Sequence, residues 1–323
     1  MAIMATGLWL PGASAAGTDR PDSFRTAKSA PASAPGKWLR ETLGSAGDQD
    51  WFRFTLAQPA WALVTLGHLP ADYAVALYDS HHALVGKSDR TGRRFEQLYR
   101  SLGTGDYFVK VNSPSGAHAG TPFALKFQPL AAEMVVAEQR NVHDTSTGFD
   151  IKGELLNNTS TWLEVRRIHV TWFDKNGAKL GGCDEGVIPA PVAPRHRVEF
   201  DVENGQPECG DQPSGAASYQ LRVHTGTTTA RTPAGLVMKP GTHTSTPTQR
   251  IYKGTVTNTS NQTMHGVYPT VIEYDSYGRA IAFGYDHFAS LAPGKSRNYL
   301  MAINTSKLPK PNGFREYTSI TNG

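Results

Sequence analysis

The sequence predicts an all-β chain of three consecutive β-sandwich domains, jelly-roll or immunoglobulin-like, with little helix. Three observations carry this. Short runs with apolar residues at every second position recur at roughly 8–12-residue spacing, divided by turn-forming residues. No long run has the 3.6-residue period of an amphipathic helix. And one segment is written twice. Residues 151–177 read IKGELLNNTSTWLEVRRIHVTWFDKNG, and residues 251–278 read IYKGTVTNTSNQTMHGVYPTVIEYDSYG. A period of about a hundred residues is too long for a solenoid and suits a duplicated domain.

The elements follow in order. Residues 1–17 contain the short apolar run Ala2–Leu10 and the A-x-A triplet Ala13-Ser14-Ala15, the pattern of an export signal without its basic leader. Residues 18–37, rich in Ser, Ala, Pro and Thr, read as an extended lead-in. From Trp38 a first domain (18–129) alternates through Trp51–Leu56, Trp61–Leu66, Tyr73–Tyr78, Phe95–Leu98, Tyr107–Val111 and Phe123–Phe127. Its turns are marked by stretches such as Gly44–Asp48, Leu69–Asp72 and Gly103–Gly105.

The first repeat (131–232) opens with Met134-Val135-Val136, and the second (233–323) with Leu236-Val237-Met238. Both contain an Asn-Thr-Ser turn and an aromatic-Asp-x-x-Gly turn, Asp174–Gly177 and Asp275–Gly278. There Asp bonds the backbone just ahead of it and Gly accepts positive φ. APRHRVEF (193–200) answers APGKSRNY (292–299), and SYQLRVHTG (218–226) is set against EYTSITNG (316–323). The two cysteines, Cys183 and Cys209, both fall in the first repeat. In an exported protein such a pair is most simply a disulfide; the alternative is two free thiols in a reducing compartment. Neither has the neighbours of a zinc site.

The first domain resembles the bacterial pre-peptidase C-terminal domain over about residues 19–127. The residues that carry the likeness are Asp48, Asp50, Trp51, Phe52 and Phe54, then Leu69, Pro70, Asp72, Tyr73, Leu77, Tyr78 and Asp79, then Gly105, Tyr107 and Val109. Ala74 and His81-His82 depart from that pattern. The two repeats resemble FxLYD-type extracellular β modules. The resemblance implies secreted, non-catalytic bacterial sandwiches, often appended to a secreted peptidase; no peptidase domain accompanies them here.

Candidate chemistry is sparse. Asp48, Asp50, Asp72 and Asp79 are carboxylates that a Ca²⁺ ion would accept, with Asp19 and Asp22 as further oxygens. The competing reading is local turn capping. No other cofactor is suggested. His81 and His82 are adjacent, so on a strand they point to opposite faces and chelate one ion poorly. No G-x-S-x-G elbow or H-E-x-x-H motif is present. Trp38, Trp51, Trp61, Trp162 and Trp172 suit either a sugar platform or, as the alternation favours, sandwich cores, with Trp162 the exposed exception. Asn157, Asn258, Asn261 and Asn304 head formal glycan-acceptor triplets that also suit turns. A net charge of +4 without basic runs gives no nucleic-acid footprint. No stretch is apolar enough for a helical membrane span. The expectation is a secreted, non-enzymatic accessory protein that binds an extracellular protein or polysaccharide. The alternative is a targeting module for collagen, cell wall or polysaccharide, acting with a secreted peptidase.

Overall fold

A strand with alternating apolar side chains has one greasy face, and two such sheets hide those faces against each other. The computed structural model describes residues 5–7, 20–131, 133–141, 148–185, 191–203, 209–230, 234–305 and 308–320, and follows this rule throughout. Among the described residues the only helix is one turn, α1 (Phe24–Ala27). The first strand, β1 (Ala5–Gly7), lies inside the expected export signal, the rest of which is outside the described residues. The chain divides into two compact units. One is Pro11–Ala132 with Ser276–Gly278; the other is Met1–Leu10, Glu133–Asp275 and Arg279–Gly323.

The first unit holds β2 (Trp38–Glu41), β3 (Gln49–Leu56), β4 (Ala60–Gly67), β5 (Ala74–Asp79), β6 (Leu84–Ser88), β7 (Glu96–Leu102), β8 (Gly105–Asn112) and β9 (Phe123–Leu130). They form two antiparallel sheets in the orders β2-β9-β4-β7 and β3-β8-β5-β6, which is the eight-stranded jelly-roll order. Phe52, Phe54, Val64, Leu66, Val75, Leu77, Val109 and Phe127 fill the space between them. The edge strand β6 escapes the sequence pattern because its Leu84 is exposed; pairing with β5 alone defines it.

The lead-in is not a free extended tail. Residues 20–36 form a strap along this sandwich, and Ser23 caps α1 by accepting from the Thr26 N–H. Backbone bonds fix the strap: Trp51 N–H to Pro21 O (3.1 Å), Ser33 N–H to Arg53 O (2.7 Å) and Gly36 N–H to Phe127 O (2.8 Å). Under it lies a second, smaller apolar cluster of Ala27, Trp51 and Phe108, with Phe24 and Tyr78 packed against it. Trp51 is therefore buried on the outer face of its sheet and is not part of the sandwich core. His82 lies exposed on its turn, as expected, and its ring also stacks on Phe24 at 4.2 Å between ring centroids.

The second unit holds both repeats. The first contains β10 (Met134–Asn141), β11 (Asp150–Asn157), β12 (Leu163–Phe173), β13 (Lys179–Glu185), β14 (Arg197–Glu203) and β15 (Ser218–Thr227). The second contains β16 (Leu236–Ser245), β17 (Gln249–Asn258), β18 (Met264–Tyr274), β19 (Ala280–Tyr285), β20 (Phe288–Leu291), β21 (Ser296–Asn304) and β22 (Gly313–Ile320). The sheets β10-β11-β14 and β13-β12-β15 of the first correspond to β16-β17-β21 and β19-β18-β22 of the second. β1 adds to the first repeat along β15, with Ala5, Thr6 and Gly7 opposite Leu221, Gln220 and Tyr219.

The duplicated motifs are duplicated structures. Asn157 and Asn258 are both fully buried. Asn157 Nδ2 donates to the carbonyls of Thr161 and Val192 (2.8 Å each). Asn258 Nδ2 donates to those of Gln262 (2.7 Å) and Leu291 (2.8 Å). Each Oδ1 accepts the N–H and hydroxyl of the residue two ahead, Thr159 or Ser260. Such a clip satisfies backbone groups that no ladder reaches, and burial leaves neither side chain available to a glycan. Asn258→Ala strands two carbonyls and an N–H. A loss of about 2 kcal/mol is expected in denaturant unfolding. A change under about 0.5 kcal/mol would show the clip to be dispensable.

The aromatic-Asp turn occurs in all three sandwiches. Asp174 accepts from Ala178 N–H (2.8 Å), Asp275 from Arg279 N–H (3.0 Å) and Asp79 from Ala83 N–H (2.8 Å). Gly177 and Gly278 have positive φ, and so does His82 in the jelly roll. One part of the repeat alignment needs correction. Trp172 faces Tyr219 across its ladder, while its counterpart Glu273 faces Phe314. Tyr219 thus matches Phe314, three residues before the Tyr317 that the sequence alignment pairs with it. An odd shift exchanges inner and outer faces, so only the ladder decides it.

Candidate functional site

Three of the four Ca²⁺ candidates accept backbone N–H groups, and the fourth, Asp50, lies within β3. Asp79 accepts the N–H groups of His81 (2.9 Å) and Ala83 (2.8 Å), which together with the nearby His81 hold its carboxyl below the ordinary range. Asp48 accepts from Gly44 N–H (2.5 Å) and Asp72 from Gly92 N–H (3.1 Å). Asp50 is buried opposite Val111. Burial first, and then the Asp48 and Asp50 charges, push the nearby Tyr73 hydroxyl above its usual range. Asp22 is exposed, and Asp19 lies outside the described residues. The structure does not gather three of these carboxylates. Among the described residues the one such group is Asp150, Asp201 and Glu203, with ligand atoms within 4.8 Å of one another. A cation already sits among them: Lys152 Nζ is 2.5 Å from Asp201 Oδ2 and 3.0 Å from Asp150 Oδ1.

That group belongs to a larger one that sequence reading missed. On β11, Ile151 and Leu155 point into the first repeat's core, so Asp150, Lys152, Glu154 and Leu156 point away from it. Opposite them on β14 stand Glu203, Asp201, Glu199 and Arg197. Such a row reads as a solvated face, yet Glu154 is fully buried because the second repeat covers it. β19 lies against β10 and β11. Val135, Ala137 and Leu156 on one side and Ile272, Tyr274 and Ile281 on the other are buried outside both sandwich cores. Lys152 Nζ stands 5.5 Å above the Phe283 ring, a cation–π contact across the seam.

Two arginines hold Glu154. Arg197 Nη1 is 3.3 Å from Oε2, and Arg315 of the second repeat donates to Oε1. Arg315 also lies over the Tyr317 ring at 5.3 Å. Glu199, directly across the ladder from Glu154, is pushed up to about 7 by burial and by the Glu154 charge, with Arg315 opposing. Burial and the Glu154 charge likewise raise Tyr274. Burial raises Asp201 to about 6 against the pull of Lys152, while the flanking carboxylates raise Lys152. Chemically this is a clamp in which each charge has an opposite charge within reach; Glu199 is the least compensated.

A second buried ion pair sits inside the second repeat. Arg250 donates two hydrogen bonds to Glu273, and Tyr252 OH donates to Glu273 Oε1 (2.7 Å). At the equivalent points the first repeat has Phe149, Ile151 and Trp172, with Phe149 edge-on to Trp172 at 4.9 Å.

Cys183 and Cys209 form the disulfide, Cα–Cα 5.1 Å, tying β13 to the segment before β15. At the equivalent point in the second repeat stands Gly284, where a Cβ would lie 2.9 Å from Ile303 Cγ1. An apolar side chain fills there the space that sulfur fills in the first copy. Of the remaining tryptophans, Trp172 is core, Trp61 stacks on Tyr99 (4.5 Å), and Trp38 and Trp162 are half-buried.

No known family profile matches the chain, and no curated protein matches it. Solved structures match distantly. A Bacteroides uniformis β-glucuronidase is 11% identical over 75% of this chain and 26% of its own, with a TM-score of 0.31. A glycosyl hydrolase family 2 member from Bacteroides cellulosilyticus is 10% identical over 77% and 28%, again with a TM-score of 0.31. The chain spans about a quarter of the length of these proteins, and likeness at this level carries no functional argument.

Proposed function

We propose that this is an exported, non-catalytic binding protein: a jelly-roll domain of the pre-peptidase C-terminal type, followed by two FxLYD-like repeats clasped to each other. The buried clamp between the repeats supports this reading most. Glu154, Arg197 and Arg315 are committed to joining two sandwiches, which is what a spacer needs and an active site does not. The disulfide fits an oxidising compartment. The ligand is an extracellular protein or polysaccharide.

The test is retention on insoluble collagen, chitin and peptidoglycan at physiological salt, with casein and peptide arrays as substrates in parallel. Saturable retention on one matrix without hydrolysis is expected. Hydrolysis abolished by a point substitution would overturn the reading; absence of retention on all three would leave a spacer alone. The jelly-roll order of the first domain also supports the alternative, a targeting module that works with a secreted peptidase. Co-purification with such a peptidase, together with retention on its substrate, would favour it.

A further inference from the structure

The repeat-to-repeat seam carries like charges where a sheet tolerates them least. Glu154 and Glu199 are direct cross-strand partners, and so are Asp150 and Glu203. Carboxylates directly opposite one another repel, and the burial of Glu154 and of Glu199 Oε2 removes much of the water that would screen them. We propose that Glu199, set directly across from Glu154, is a proton-operated latch: with Glu199 protonated the repeats stay clasped, and with Glu199 ionised the seam loosens. The latch belongs to the two repeats and is independent of the proposed ligand.

The surroundings set the direction. β11 brings Glu154 and Lys152; β14 brings Arg197, Glu199 and Asp201; and the β10 register neighbour of Glu154 is Glu138. From the second repeat, β18 brings Tyr274 and β22 brings Arg315, while β19 brings Ile281 and Phe283, which do not ionise. Arg197 and Arg315 both bond Glu154, which leaves Glu199 as the carboxyl on which the proton is placed. Glu199 Oε2 is buried without a hydrogen-bond donor. A neutral carboxyl tolerates that state better than a carboxylate does.

The sign follows from proton linkage. A carboxyl that titrates near 7 when folded and near 4.5 when unfolded binds the proton more tightly in the folded state. Its stabilisation is complete below the unfolded value and is lost as pH rises through the folded value. The neutral amide isostere of the protonated form is Glu199→Gln. The intact chain and this variant are compared by thermal unfolding from pH 5 to 8.5. Because the unfolded carboxyl ionises from about pH 4.5 upward, the variant's lead in melting temperature over the intact chain should grow by roughly 4–8 °C between pH 5.5 and pH 8. Parallel profiles would overturn the proposal. Should the variant not fold, carboxyl ¹³C NMR of the unaltered chain decides: one glutamate should titrate near neutrality. Titration of every glutamate below about pH 5.5 would refute the latch. Hydrogen exchange, corrected for intrinsic rate, should show Ile281–Phe283 and Val135–Ala137 less protected at pH 8 than at pH 5.5, with Val170 unchanged. Equal protection at the seam would refute the loosening.

Discussion

Replacing Glu273 by Ala destabilises the second repeat by about 3–5 kcal/mol, whereas transplanting the first repeat's trio, Arg250→Phe with Tyr252→Ile and Glu273→Trp, leaves it folded at close to its original stability. A buried ion pair gains little over a packed apolar pair, because both ions lose their hydration. Removing one partner alone strands the other in a low-dielectric core. Arg250, Tyr252 and Glu273 face the interior between Val256 and Val271, so water cannot rescue a stranded guanidinium. The chain supplies its own control, since Phe149, Ile151 and Trp172 occupy the same three points in a sandwich of the same topology. Guanidinium denaturation of the single and triple variants makes the comparison. A single variant costing under about 1 kcal/mol would mean that the pair is solvated. A triple variant as unstable as the single one would mean that the ion pair itself specifies the packing.

Reduction of the Cys183–Cys209 bond, or Cys183→Ser with Cys209→Ser, should cost about 3.5 kcal/mol. That figure is the chain-entropy value for the 26-residue separation of the two cysteines. In a unit holding two repeats this corresponds to roughly 7–14 °C in melting temperature. The loss should appear in the first repeat alone. Differential scanning calorimetry with and without reductant measures it. An unchanged melting temperature would show that the first repeat's apolar core suffices without the bond. That outcome has a structural precedent, because the second repeat keeps the same fold with Gly284 and Ile303 at that place.

Much of the architecture was legible in the residues because its causes are local. Alternation announces strands, and the Asn and Asp turns bond their own neighbours, so the two repeats and their Asn157, Asn258, Asp174 and Asp275 turns stand out. The strap was not legible. Its Pro-, Ser- and Ala-rich text has no period, and Phe24 acquires a partner only because Trp51 and Phe108 happen to face outward. β6 was missed for a related reason: an edge strand need not be greasy. Of the four aspartates suggested for calcium, Asp48 and Asp79 accept N–H groups a few residues away, Asp72 accepts one from Gly92, and Asp50 is buried in β3. The shift of Tyr219 against Phe314 shows the limit of aligning strands by composition, since β text slides without penalty until a ladder fixes it.

Sequence alone determined the class of fold and the duplication. Both depend on which side chains shun water and on bonds between residues a few places apart. Only the folded chain decided where the charges lie. Asp150, Lys152 and Glu154 sit at positions that alternation assigns to solvent, and nothing near them in the sequence says otherwise. Burial of Glu154 needs Arg315, 161 residues away, to arrive with the face of another sandwich. A residue's polarity is written in its side chain, but its solvation is a property of whatever packs against it.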